Sequence, residues 1–121
     1  LARGWADAEP GFRWTNANAA IITFSLAEIR PLRVRLELNA FLGNGRLPRQ
    51  VVEPEVNGKR LSLFELENET VVTVEIEIPA SALQDKNRLT LHLPNATSPA
   101  ALGLSLDIRP LALAVRWMEI E

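Results

Sequence analysis

The sequence predicts an all-β fold, a single antiparallel sandwich. Three observations carry this: apolar residues recur at every second position, the segments doing so are short, and turn-forming residues separate them. The clearest case is residues 32–42. There Val34, Leu36, Leu38, Ala40 and Leu42 alternate with Arg33, Arg35, Glu37 and Asn39, so one face meets a core and the other meets water. With 121 residues, 47% of them hydrophobic, the chain supports one such core and is too short for two, so 1–121 is one domain.

The remaining elements follow in order. Trp14 and Thr15 lead into a first full strand at 19–26, with Ala20, Ile22, Phe24 and Leu26 on one parity. After residues 32–42, Gly43, Asn44 and Gly45 break the pattern and Pro48 prolongs the loop. Residues 51–57 and 59–66 flank Asn57-Gly58, the dipeptide suited to a type I′ turn because both positions need positive φ. A two-residue turn sets Glu55 opposite Arg60, Pro54 opposite Leu61, Glu53 opposite Ser62 and Val52 opposite Leu63. Pro54 cannot donate to a ladder, which predicts an edge or a bulge there. Residues 70–78 place Val72, Val74, Ile76 and Ile78 inward. Residues 79–86 read as one helical turn capped by Ser81, followed by a strand at 89–93. Residues 94–110 show no alternation, and so long a connection in a small domain is functional or a crossover between sheets. The last segment, 111–120, is apolar on both parities, as in a strand buried on both sides or set against a neighbouring domain.

Composition removes whole classes of function. Thirteen basic against fifteen acidic residues, with no block of like charge, leave no footprint for nucleic acid or an anionic membrane surface. The chain has no cysteine, hence no disulfide framework and no thiolate metal site. No apolar run reaches the roughly 18 residues of a spanning helix, so no direct membrane insertion is expected. The chain begins at Leu1 without a signal-peptide pattern and reads as a domain excised from a longer protein.

No residue set reads as catalytic. His92, the single histidine, falls on the polar parity with Arg88 and Thr90 and reads as a solvated strand residue with no acid or nucleophile signature nearby. Glu75 and Glu77 share one strand face, where a glycosidase pair would have to flank a cleft. Asn68 and Asn95 begin glycosylation-type triplets, a short pattern that arises often by chance. No metal site or cofactor is expected, although calcium held by backbone carbonyls with Asp85, Asp107 or Glu9 would leave almost no trace in sequence.

The opening segment is different. Two of the three tryptophans, Trp5 and Trp14, lie there with Glu9 and the pair Phe12-Arg13. An exposed indole offers a flat apolar face to a sugar ring while Arg13 or Glu9 bonds its hydroxyls; alternatively, both indoles pack the end of the sandwich. Strand alternation leaves unexplained only this motif and residues 94–110. The two are therefore expected to meet, bringing Arg13 and Arg109 within reach of Glu9 or Asp107.

Gly4-Trp5, Glu9 and Gly11-Phe12-Arg13-Trp14-Thr15, together with Pro94-Asn95-Ala96-Thr97-Ser98-Pro99, Leu102-Gly103-Leu104-Ser105, Asp107, Arg109 and Leu111, resemble an accessory domain. That domain is found at the extracytoplasmic C-terminal end of bacterial membrane-bound phosphoglycerol transferases and related cell-envelope glycosyltransferases. Pro110-Leu111-Ala112 departs from the pattern, which more often has a leucine-glycine step after the arginine. The resemblance implies a non-catalytic β-sandwich of jelly-roll topology, similar to carbohydrate-binding modules. It further implies an extracytoplasmic location and the rest of the transferase as partner, and it supplies no ligand; a glycan or glycolipid headgroup is the ligand expected from the exposed-indole reading of the opening segment. Trp5, Glu9, Arg13, Trp14, Asp107 and Arg109 are the candidate ligand-binding residues. The alternative is a structural module that packs on its own enzyme or a neighbouring subunit without binding glycan.

Overall fold

In the computed structural model, the residues described are 2–3 (backbone only), 5 and 12–121. The strands are β1 (Ala2–Arg3), β2 (Arg13–Trp14), β3 (Ala19–Ser25), β4 (Leu32–Ala40), β5 (Gln50–Val56), β6 (Lys59–Arg60), β7 (Phe64–Leu66), β8 (Val72–Ile78), β9 (Lys86–His92) and β10 (Leu113–Ile120). One sheet has the order β1-β3-β9-β5-β6, with β7 also on β5, and the other has the order β2-β10-β4-β8. Every pairing is antiparallel. The chain changes sheet between successive strands everywhere except along β5, β6 and β7, as expected of a jelly roll. The inner faces meet in one core, with Val34, Leu36 and Leu38 of β4, Leu89 and Leu91 of β9, Val52 and Val56 of β5, and Leu113 of β10 all essentially inaccessible. Ile76 is buried as its parity predicts, while Val74 is half-buried against the same core.

The predicted hairpin is present. Asn57 and Gly58 have φ of 51° and 87°, and Glu55 pairs with Arg60. Beyond it the register departs from simple counting: Val52 pairs with Phe64, not Leu63, and Leu63 is exposed. Pro54 supplies the reason. Its carbonyl accepts the Leu61 N–H at 2.9 Å, but it has no N–H to return. The ladder therefore stops at Arg60 and resumes at Phe64 with one extra residue, the bulge that proline invites.

Three further expectations are corrected. Ser81 caps nothing; it sits inside a 3₁₀ turn, Ala80–Ala82, which follows Pro79 without a side-chain cap. His92 is half-buried, not solvated, with Nε2 3.4 Å from Glu55 Oε1, and its neighbour Thr90 is buried. In β10 the apolar residues on both parities come chiefly from a bulge. Val115 pairs with Leu38 and Trp117 with Glu37, so Arg116 is the extra residue and the inward parity switches from Leu113 and Val115 to Met118 and Ile120. Only the first half of β10 is buried on both faces.

Candidate functional site

The candidate residues fall into three groups, set by β2 and by the connection before β10. Two residues long, β2 lies against β10 with Arg13 opposite Val115 and Trp14 opposite Ala114. Adjacent strand residues point to opposite faces, so Arg13 and Trp14 separate. Thr15, fully buried, fixes this edge: its N–H donates to Leu113 O at 2.8 Å and its hydroxyl accepts the Leu113 N–H at 3.1 Å.

Arg13 faces an apolar cleft between the sheet edges, lined with Trp5, Ile22, Val115 and Met118 and about 210 Å³ in volume. Trp5 is placed by a bridge to Thr15 and by its indole N–H, which donates to Ile21 O at 3.3 Å. Drug-sized ligands fill roughly 300–1,000 Å³, so this cleft takes one ring or one aliphatic group and not a long chain. Trp14 packs edge-to-face with Phe12 and Phe41, with ring centroids 6.0 Å and 6.1 Å away. Glu9 lies outside the described residues.

Asp107 and Arg109 belong to residues 94–110, a connection folded by its own turns and pinned to the loop after β4. Arg46 Nη1 donates to Leu102 O at 3.0 Å, and Leu102 Cδ1 stands 2.5 Å from where a β-carbon on Gly43 would lie. With φ of 59°, Gly43 is suited twice over to glycine. The Arg109 side chain grips both Asp107 oxygens, Nε to Oδ1 at 2.9 Å and Nη2 to Oδ2 at 2.6 Å, while its backbone N–H donates to Oδ1 at 3.0 Å. Those side-chain bonds first, then the backbone bond, lower the Asp107 carboxyl to about 2.

Of the motif, Trp14 reaches the end of the sandwich where Asn95 lies. Trp14 packs on Phe41, and the Gln50 amide donates both to Phe41 O at 2.7 Å and to Asn95 O at 3.3 Å. Asn95 spends its own side chain on the Val51 N–H, so it acts as a brace. Trp5 and Arg13 come together in the cleft, Asp107 and Arg109 come together in the ion pair, and Trp14 sits on the other side of β2.

One pair escaped the sequence reading. Trp117, 39% exposed on the outer face of β10, donates its indole N–H to Glu37 Oε2 of β4 at 3.1 Å. The residues are 80 apart in the chain, so only the β4–β10 pairing reveals them. Among the described residues no group of three or more His, Cys, Asp or Glu is placed to hold a metal, and both Asp107 oxygens are taken by Arg109.

No family model matches the chain, and no curated protein matches it in sequence. Solved structures match it in fold. It superposes on the CBM36-1 domain of a multidomain xylanase from the hindgut metagenome of Trinervitermes trinervoides with TM-score 0.61 and 11% identity, covering 97% of this chain and 84% of that one. A carbohydrate-binding module, CBM36, in complex with calcium and xylotriose gives TM-score 0.54 at 12% identity over 89% of this chain and 76% of that one. The C-terminal domain of EclA, a sugar-binding protein, gives TM-score 0.56 at 12% identity over 84% of this chain, which spans 64% of that one. The chain thus has the fold of carbohydrate-binding modules.

Proposed function

We propose that the chain is a non-catalytic glycan-binding domain, and that Trp5 and Arg13 at the edge cleft contact the sugar. One observation carries this: the apolar cleft puts an indole and a guanidinium side by side on a fold that known sugar-binding domains share. An indole covers the C–H face of a ring while a guanidinium donates to its hydroxyls. The residue pattern of the opening segment and of 94–110 extends the proposal to an accessory domain of a bacterial cell-envelope glycosyl or phosphoglycerol transferase. In that setting the domain stands on the extracytoplasmic side, holding a glycan or glycolipid headgroup for the enzyme. A glycan array probed with the wild-type chain and with Trp5→Ala and Arg13→Ala tests the reading. Loss of a binding signal in both variants, with unchanged unfolding midpoints, supports it; a wild-type chain that retains no glycan sinks it.

A second reading, a structural module docked on its own enzyme, draws on a different observation. Leu106 and Ile108, on either side of Asp107 in the chain, are 96% and 81% exposed. Under that reading, Leu106→Ser with Ile108→Ser weakens co-purification with the parent enzyme and leaves glycan binding untouched.

A further inference from the structure

We infer that the outer face of the β2-β10-β4-β8 sheet is a second sugar-binding platform, built on Trp117 and Glu37, that takes a neutral pyranose chain. The inference rests on the glycan-binding reading but not on the edge cleft. Trp117 is exposed because the Arg116 bulge turns it outward. Its N–H bond reaches from β10 to β4 and ties the indole across the sheet, so the ring is held before any ligand arrives and little rotamer freedom remains to be lost. Among the described residues Glu37 receives that donor alone. Among the described residues it makes no ion pair, which leaves a half-buried carboxylate with acceptor capacity beside an aromatic surface. Thr73 pairs with Glu37 on one side, and Asn39 follows on the same face of β4. A hydroxyl and a carboxamide with both donor and acceptor atoms thus flank Glu37.

Charge selects among glycans. Arg33 is shared by Glu75 and Glu77, and Arg35 by Glu75, Glu119 and Glu121. With Glu37 the face carries more carboxylates than guanidinium groups, and both guanidinium groups are already engaged. Arg116, exposed in the bulge, adds one positive charge without reversing the balance. A uronic acid chain would meet uncompensated like charge, whereas hydroxyls of a neutral chain donate to Glu37 at no such cost.

Calorimetric titration with a neutral β-1,4-glucan hexamer and with hexagalacturonate tests the platform. The wild-type chain is expected to bind the neutral hexamer and not the uronate. Trp117→Ala should weaken binding by roughly tenfold or more, the loss of one stacking surface. Trp117→Phe should keep part of the affinity, Glu37→Gln should lose several-fold, and all three should unfold at the wild-type midpoint. Unchanged affinity in Trp117→Ala, or preference for the uronate, overturns the platform. If Trp5→Ala or Arg13→Ala abolishes binding while Trp117→Ala does not, the edge cleft stands and the sheet face falls. The reverse pattern keeps the sheet face and removes the cleft.

Discussion

Carboxamides close both ends of the sandwich, but only the hairpin end pairs both atoms of each buried amide. At the hairpin end, Asn57 Oδ1 accepts the Arg88 N–H at 2.9 Å while its Nδ2 donates to Ala82 O and Asn87 Oδ1. Buried Asn87 also accepts the Gln84 N–H at 2.9 Å and returns a bond to Gln84 O at 2.7 Å. At the other end of β5, fully buried Gln50 donates to the carbonyls of Phe41 and Asn95, and its own Oε1 is buried with no hydrogen-bond partner among the described residues. A buried N–H tolerates neglect less well than a carbonyl, so Asn87, which accepts the Gln84 N–H, is less replaceable than Gln50, which serves only carbonyls. The N–H at the Gln50 end, that of Val51, is served by Asn95 instead.

Substitutions can break or sharpen that contrast. A core truncation between the ends sets the scale: Leu38→Ala should cost roughly 2–5 kcal/mol in urea unfolding, since Leu38 is fully buried. An unchanged midpoint would mean the two faces of β4 are reversed. Next, Asn87→Ala should cost roughly 1–3 kcal/mol because donors are left unpaired, and Gln50→Met only roughly 0.5–1.5 kcal/mol because it strands carbonyls and removes an unpaired oxygen. If Gln50→Met proves the costlier, the contrast between the ends is wrong.

Exchanging half-buried Glu55 and exposed Arg60, 3.2 Å apart, should move stability by less than about 1 kcal/mol. A larger loss would show that His92, 3.4 Å from the same Glu55 oxygen, depends on that carboxylate. The smallest effect is expected at the Asp107–Arg109 clamp. Its folded pKa of about 2 lies below the ordinary 3.8, so its contribution is complete above about pH 4 and disappears as pH falls through about 2. Unfolding midpoints of wild type and Asp107→Asn should therefore differ at neutral pH and converge near pH 2. A gap that persists in acid would show that the carboxylate's charge is not what matters.

What the sequence discloses here is what is decided locally. The Asn57-Gly58 turn needs positive φ at two adjacent positions, and two residues suffice to announce it. Alternation in β4 likewise exposes its buried face, because one sheet face meets the core along the whole strand. Register past Pro54 is not local: the extra residue between Arg60 and Phe64 answers a donor missing from another strand. Ser81 looked like a cap from its neighbours alone, yet Pro79 already sets the entry to the turn. For the candidate site, the residues were nameable and the Asp107–Arg109 pairing, two residues apart, was within reach of the sequence, but the rest of the grouping was not. Arg13 and Trp14 are adjacent in sequence but diverge in space, and Trp117 finds Glu37 only through strand pairing.

The bulge at Arg116 also says something about how this surface can evolve. Which of Trp117 and Met118 faces outward is set by Arg116 being looped out of the ladder, not by the side chain it carries, because Trp117 stays opposite Glu37 and Met118 opposite Leu36. An in-frame deletion of residue 116 would straighten the strand in the same register and still leave the indole outward. The aromatic surface therefore survives both substitution and loss of the residue that makes the bulge.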